Sequence, residues 1–232
     1  MKGITILFED ENLLVLNKPA GLAVQGGKGV GTSLDSLLAL NRKERPLLVH
    51  RLDKDTSGVI VTAKNRESAA ACSPLFSDRR RGIKKTYLAF CAGILNEKGI
   101  IDEKLITKGR VLNAQTAYKC MGSMILTNHE KSEDVINISL AELLPSTGRM
   151  HQIRRHLAQS GHPILCDDKY GDFALNKKLK KTLGIKRLLL HALSLYLPSS
   201  LVYGGLTISA PLPDYFMELI QKAGLTIPGT SS

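Results

Sequence analysis

Strand-like segments that follow one another without an intervening helix are the feature that most constrains the fold of this chain. Four of them lie between residues 86 and 144, where the sequence runs TYLAFCAGIL, QTAYKC, SMILT and INISLAELL. Strands joined by short connections pair antiparallel, whereas parallel neighbours need a long crossover, usually a helix. The pattern therefore predicts an α+β fold with a mixed, mostly antiparallel central sheet and flanking helices.

The flanking segments add a hairpin and several helices. Ile4–Phe8 and Leu13–Asn17 predict a β-hairpin around an acidic turn, and Thr32 or Ser33 can cap a helix over LDSLLAL. The remaining predicted elements are listed in chain order: a strand at Leu47–Val49, a strand at Val59–Ala63, a helix after a capping Asn65, a helix from Arg149 to a stop at Gly161, strands over RLLLHALSLYL and LTISAP, and a final helix over PDYFMELIQKAG.

The length of 232 residues allows a full core without disulfides or a structural metal. Because no linker or repeat interrupts the chain, we predict a single domain over residues 1–227 and a loose tail over 228–232. The four cysteines form no Cys-x-x-Cys pair and are expected to be reduced thiols. The N-terminal segment has no long apolar run, so we expect no signal peptide, no membrane span and a cytoplasmic protein. No pattern in the sequence suggests an oligomer interface, so we expect a monomer.

Positive charge predicts a polyanionic partner. The 32 Lys and Arg residues outnumber the 21 Asp and Glu residues, which gives a formal net charge of +11. Much of the excess is clustered in DRRRGIKK (residues 78–85), GRMHQIRRH (148–156) and NKKLKKTLGIKR (176–187). Clustered cations can follow a phosphate backbone, although solubility alone would also favour net charge. The composition therefore favours RNA or DNA as the partner.

Two patterns resemble metal or nucleotide sites but lack the residues that such sites need. GGKGVGTS, residues 26–33, is not a Walker loop, because Gly29 follows Lys28 where that motif needs Ser or Thr. His151 and His156 are five residues apart, off a common helix face, and this spacing disfavours a zinc site. We expect no metal and no cofactor.

The loop between the strands at Leu47–Val49 and Val59–Ala63 carries the strongest candidate site. Its sequence HRLDKDTSG places Asp53 two residues after Arg51 and directly before Lys54. A carboxylate among cations stays ionised at neutral pH and can act as a nucleophile or base. The alternative is an ordinary salt bridge with a turn capped by Asp55, and spacing alone does not separate the two.

HRLDKDTSG resembles the catalytic signature of the RluA family of pseudouridine synthases. The resemblance extends over nearly the whole chain and is closest to the RluC branch, which modifies large-subunit ribosomal RNA. It includes an opening motif at residues 6–27, a Lys-x-Tyr strand at 85–93, a long third motif at 147–171 and a Leu-His-Ala strand at 188–195. It implies the pseudouridine-synthase fold and a cofactor-free isomerisation of uridine. Ribosomal RNA is the expected substrate, with tRNA as an alternative.

The resemblance also implies roles for single residues. Asp53 corresponds to the essential aspartate, which attacks the sugar of the target uridine or removes a sugar proton, so that the glycosidic bond breaks. Arg154 matches the arginine that pairs with this aspartate, and Arg149 is the second choice. Tyr87 matches the tyrosine that stacks on the uracil. Arg51 resembles the arginine that fills the gap left by the flipped base.

The remaining predicted contacts are with the pocket and the RNA. His50 is expected to orient the loop. Ile153 and Leu190 are expected to wall the pocket. Many RluC-type members carry an N-terminal S4 RNA-binding domain, and this chain starts almost directly at the opening motif, so we predict that basic clusters supply more of the RNA affinity. These RNA-binding candidates are Arg79, Arg80, Arg81, Lys85 and the cluster at 177–187.

Two other classes of function stay open. Asp167 and Asp168 could serve a metal-dependent nuclease, although the same residues equally fit a turn held by Asp side chains. A non-catalytic RNA-binding or ribosome-assembly protein could also keep the fold. The presence of Asp53, Tyr87 and Arg154 disfavours that second alternative, because a degenerate member would be expected to lose at least one of them.

Overall fold

The computed structural model describes residues 3–27, 29, 31–42, 44–77, 82–128 and 131–225. The predicted α+β class is confirmed, since helices accompany strands that pair mostly antiparallel. The strands are β1 Thr5–Glu9, β2 Leu13–Lys18, β3 Leu47–Leu48, β4 Ser57–Ala63, β5 Lys84–Ala92, β6 Lys98–Ile101, β7 Leu105–Thr107, β8 Arg110–Leu112, β9 Thr116–Asn128, β10 Lys131–Pro145, β11 Leu190–Leu197 and β12 Leu206–Ser209. The helices are α1 Leu34–Asn41, α2 Arg66–Ser77, α3 Gln152–Gln159, α4 Phe173–Leu183 and α5 Asp214–Lys222.

The chain forms two compact units. The first comprises Met1–Tyr87, Ser146–Gly148 and His191–Pro211, and the second comprises the segments Leu88–Pro145, Arg149–Leu190 and Leu212–Ser232. A single domain over residues 1–227 stays a prediction, and the predicted tail at 228–232 lies outside the described residues.

The first unit contains a mixed sheet with β4 at its centre. β2 pairs antiparallel with β4 along six residues, and β1 completes the predicted hairpin with β2. On the other side, β3 pairs antiparallel with the end of β4, and β11 pairs parallel with its start through His191↔Ser57 and Ala192↔Gly58. Every residue of β4 is buried, because helices and strands cover both of its faces.

The predicted caps explain where two helices of this unit begin. Ser33 caps α1 with a capping box, in which its side chain and that of Ser36 each accept a backbone N–H. Asn65 caps α2 through a 2.8 Å hydrogen bond from the Ser68 N–H. Both helices therefore start where the sequence predicts.

Gly58 is required where β4 meets β11. Its φ is +110°, and a Cβ atom there would lie 2.1 Å from the Ala192 carbonyl oxygen. We expect Gly58→Ala to lower the free energy of unfolding by about 2–4 kcal/mol, since backbone strain and overpacking add. Urea unfolding measures this loss. Gly204→Ala is the matched control, with φ at +76° and open space around the position, and an equal loss there would show that the close approach is unimportant.

The second unit is built on a long antiparallel hairpin of β9 and β10, flanked by the last part of β5 on one side and by β6 on the other. QTAYKC and SMILT, predicted as separate strands, belong to the single strand β9, which continues through Gly122 with a register shift opposite Leu140 and Ala141. The sequence prediction also missed β6, β7, β8 and α4. Within the part of the chain that the structure describes, no helix is long and apolar enough to cross a membrane.

Candidate active site

The loop that carries Asp53 is held at both ends within the first unit. At its start, the His50 ring stacks on Phe76 at 4.0 Å, and its Nε2 accepts the Val61 N–H at 2.8 Å. Burial, together with the nearby Lys85 charge, lowers the pKa of His50 to about 3. His50 is therefore neutral at physiological pH, and its two contacts hold the start of the loop. Its role in orienting the loop for the reaction stays a prediction.

Lys18 holds the middle of the loop, and sequence reasoning missed it. This lysine is fully buried, and its Nζ donates to the carbonyl oxygens of Pro19, Leu22 and Lys54 at 2.8–3.0 Å. The Gly21 N–H donates to the same Lys54 carbonyl at 2.9 Å. Three donors on one ammonium meet three acceptors, so the segment after β2 and the Asp53 loop are tied together.

The titration of Lys18 should appear in the pH dependence of stability. Burial lowers its pKa from 10.5 to about 8, although Asp55 and Asp53 oppose that shift. Between these values the unfolded chain binds more protons than the folded one, so folding is favoured as pH rises from about 8 to 10.5. We expect Lys18→Met to remove this gain in stability, which arises from a difference of up to one bound proton between the unfolded and the folded chain. Urea unfolding at both ends of the window tests it.

The control for that experiment is Lys104→Met, at an exposed position of the second unit. All other titrating groups are shared with the wild type and cancel in the comparison. If Lys104→Met and Lys18→Met changed the pH slope equally, Lys18 would not be the titrating group.

Ser57 and His191 fix the end of the loop. Ser57 Oγ lies 2.8 Å from His191 Nδ1, and His191 Nε2 lies 3.4 Å from the Ala210 carbonyl oxygen. Burial lowers the pKa of His191 to about 4. The neutral ring therefore donates from Nε2 to Ala210 and accepts the Ser57 hydroxyl at Nδ1. This buried pair joins β4 to β11 directly after the loop.

Asp53 and Tyr87 lie near each other in the first unit. The Tyr87 side chain packs against the apolar cluster that includes Leu52, Ile60 and Ala192. Burial, and then the charge of Asp53, raise the pKa of Tyr87 above its ordinary value. The tyrosine is consequently a neutral phenol at physiological pH. It can stack and exchange hydrogen bonds, but it does not supply a phenolate base.

Lys85 lies two residues before Tyr87, so both side chains leave β5 on the same face. Its Nζ donates to the Phe76 carbonyl oxygen at 3.0 Å and lies 5.2 Å from the centre of the Phe76 ring. Burial lowers the pKa of Lys85 to about 8. Gly148, in the segment that opens the third motif, borders the same amine. Lys85 is thus a partly desolvated cation beside the candidate site.

The structure places the other predicted contact residues individually. Arg51 is exposed on the Asp53 loop, and Arg149 is exposed with its Nε 3.4 Å from the Asn113 carbonyl oxygen. Ile153 and Leu190 are buried in the second unit. Their role as pocket walls stays a prediction. Arg79, Arg80 and Arg81 lie outside the described residues.

Arg154 belongs to the second unit, where it lies on α3 and is 5% exposed. Its Nε and Nη2 each donate to one Asp167 carboxylate oxygen at 2.7 Å, and Nη2 also reaches Asp168 at 3.1 Å. The guanidinium lies 5.3 Å from the centre of the Tyr170 ring. These contacts hold the third motif together, and the pairing of Arg154 with Asp53 stays a prediction.

The Asp167 carboxylate accepts four hydrogen bonds from Arg154 and from nearby backbone N–H groups. Burial alone would raise its pKa, but hydrogen bonds from Arg154 and from the backbone N–H groups of Tyr170 and Lys169 lower it. With these donors in place, the carboxylate has little capacity left for a metal ion. The geometry therefore favours the turn interpretation of Asp167 and Asp168 over the nuclease interpretation. In the described part of the chain, no group of three or more His, Cys, Asp or Glu side chains is arranged so that it could hold a metal ion.

Comparison with known proteins identifies the family. The model for RNA pseudouridylate synthases matches residues 12–159, which include the Asp53 loop. The chain belongs to this family. Ribosomal large subunit pseudouridine synthase C of Haemophilus ducreyi is 37% identical over 94% of this chain and 68% of its own length. The enzyme of the same name from Escherichia coli K12 is 35% identical over 94% of this chain and 69% of its own.

Solved structures of pseudouridylate synthases have the same fold. Human RNA Pseudouridylate Synthase Domain Containing 4 superimposes with a TM-score of 0.74 at 28% identity, covering 97% of this chain and 94% of that one. Human RNA Pseudouridylate Synthase Domain Containing 1 superimposes with a TM-score of 0.72 at 22% identity, covering 97% and 96%. The predicted family and its fold are confirmed.

Proposed function

We propose that this pseudouridine synthase converts uridine to pseudouridine in large-subunit ribosomal RNA, with Asp53 as the essential carboxylate. The observation that carries the proposal is the identity of 35–37% with enzymes named ribosomal large subunit pseudouridine synthase C, over 94% of the chain. The net charge of +11 suits a polyanionic substrate. The contacts of His50, Lys18 and Ser57 hold the Asp53 loop at its start, middle and end, which would preorganise the carboxylate for such a reaction.

The reaction balances without any co-reactant. The bond between N1 of uracil and C1′ of ribose breaks, the base turns over, and a bond forms between C5 and C1′. The hydrogen on C5 then leaves to solvent while N1 gains a proton. Asp53 would attack the sugar or take a sugar proton in the first step. Tyr87, a neutral phenol with an apolar contact surface, would stack on the uracil and limit its motion while it turns.

The surroundings of Asp53 fit a flipped nucleotide. Arg51 is exposed on the same loop, and a planar cation there can stack between bases or pair with a phosphate. Lys85 offers a second cation on the strand that bears Tyr87. As contacts to the substrate, Arg51 and Lys85 would therefore place positive charge near the Asp53 carboxylate.

Tritium release from RNA carrying uridine labelled at C5 tests the proposal, because only formation of the C5–C1′ bond expels that hydrogen. We expect release from unmodified large-subunit ribosomal RNA, in the presence of EDTA, and none from tRNA. Release from tRNA alone would assign the protein to a different substrate. No release from either RNA, together with tight binding, would favour the non-catalytic alternative.

A further inference from the structure

Helix α4 has a partly buried apolar stripe and an unusual outer face. Leu175, Leu179 and Leu183 recur every four residues, and Leu179 is fully buried. Asp172 caps the helix by accepting the Leu175 N–H at 2.9 Å, and Gly184 ends it in the left-handed conformation. The inner side of the helix is therefore accounted for by packing and capping.

The outer face combines an exposed aromatic ring with exposed lysines. Phe173 is 64% exposed, and Lys177, Lys180 and Lys181 are all exposed. At 3.6 residues per turn these four positions fall within about 100° of the helix circumference and extend over about 12 Å along its axis. Just beyond the helix, Lys186 is exposed as well. We call Phe173, Lys177, Lys180 and Lys181 the α4 face.

The charges of the α4 face are not compensated. None of its three lysines forms an ion pair with a described carboxylate, and its Phe173 ring has no aromatic partner among the described residues. Lysines in the last turn of a helix stabilise its dipole, which would explain Lys180 and Lys181 alone. Neither that effect nor solubility explains a large apolar ring kept in water beside them.

We propose that the α4 face binds a single-stranded segment of the RNA substrate, with the lysines on its phosphates and Phe173 stacked on an unpaired base. Cationic grooves interleaved with aromatic rings are how proteins bind single strands without reading sequence. Successive nucleotides of a stacked strand advance about 3.4 Å along its axis, so several phosphates can reach a face of this length. The inference rests on the proposed function only in taking RNA as the partner.

Three variants test the charge and the ring separately. Lys177→Gln/Lys180→Gln/Lys181→Gln removes the phosphate contacts, Phe173→Leu removes the stacking surface while staying apolar, and Phe173→Trp retains it. The control is Lys104→Gln/Lys119→Gln/Lys222→Gln, which changes the charge equally at exposed positions of the same unit. Binding is measured by filter retention of oligouridine and of an RNA duplex over a range of salt concentrations.

We expect the α4 lysine variant to flatten the dependence of log affinity on log salt by about 2, since each phosphate contact on a single strand contributes about 0.7. Phe173→Leu should weaken oligouridine binding about 10-fold and leave duplex binding unchanged, whereas Phe173→Trp should bind like the wild type. Equal losses in the α4 and control lysine variants, or no loss in Phe173→Leu, would overturn the proposal.

Turnover separates this inference from the proposed function. In tritium release, the α4 variants should raise KM with little change in kcat, because the face acts on binding. If the wild type bound oligouridine through the α4 face but released no tritium from any RNA, the proposed function would fail and the α4 face would stand. If tritium release were normal and the α4 variants bound RNA like the wild type, only the inference would fail.

Discussion

Replacing Asp53 by asparagine is expected to abolish turnover and to leave RNA binding intact. Asparagine has nearly the same shape, and the turn is kept by a backbone hydrogen bond from Thr56 N–H to the Asp53 carbonyl, which the substitution does not touch. A neutral amide cannot attack the sugar or take a proton from it. Loss of a general acid or base costs about 10²- to 10⁴-fold in rate, and loss of a nucleophile up to about 10⁶-fold. Tritium release measures the rate, and filter binding measures affinity for the same RNA.

Asp55→Asn is the matched control. It lies two residues away in the same loop and makes the same change of charge, and both carboxylates act favourably on the buried Lys18 ammonium. The two variants should therefore alter the loop electrostatics to a similar extent, yet only Asp53→Asn should lose turnover. Near-normal release by Asp53→Asn, or equal losses in both variants, would remove Asp53 from its proposed role.

The position of the Asp53 loop could be predicted from sequence because the elements on both sides have clear patterns. Apolar runs bound the loop, and the Thr-Ser-Gly turn marks where β4 begins. Lys18 could not be found in this way. A lysine after an apolar strand predicts an exposed side chain, and only the fold brings three carbonyl oxygens around its amine. The Ser57–His191 contact was missed for a similar reason, since 134 residues separate its partners.

The missed helix α4 had a usable signal. Its leucines recur at helical spacing between a capping Asp172 and a terminal Gly184, but the density of lysines in the same segment is also typical of a charged surface cluster. The short strands β6, β7 and β8 gave weaker signals, because their pairing depends on neighbours such as β9. Local patterns thus predicted most of the fold, and the contacts between distant segments had to come from the structure.

Removing the Arg154 guanidinium is expected to cost about 3–5 kcal/mol of unfolding free energy. Arg154→Met keeps much of the apolar stem but leaves the fully buried Asp167 carboxylate without its two 2.7 Å partners. An unpaired buried charge is destabilising to about this extent. Denaturant unfolding at pH 7 measures the loss. Arg155→Met is the control, since Arg155 is half-buried and makes one long contact with Thr107 at 3.5 Å, so its loss should stay below about 1 kcal/mol.

A second substitution separates the buried charge from the lost packing. In Arg154→Met/Asp167→Asn, the amide oxygen can still accept the N–H groups of Lys169 and Tyr170, which bind Asp167 Oδ1 at 2.9 and 3.0 Å. The double variant should therefore recover more than half of the stability lost by Arg154→Met. A double variant no more stable than the single one would assign the loss to packing instead.

Lowering the pH should reduce the stability that Arg154→Met loses, as the Asp167→Asn substitution does. In the wild type the pKa of Asp167 is lowered, so its stabilising contribution is present above the unfolded pKa and is lost as pH falls through the folded one. Without Arg154, burial dominates and raises the pKa of Asp167, so the carboxyl is protonated at a higher pH. The stability difference between wild type and Arg154→Met should then be largest at pH 7 and shrink as the pH is lowered towards 4. A constant difference across that range would mean that the Asp167 charge is not what Arg154 stabilises.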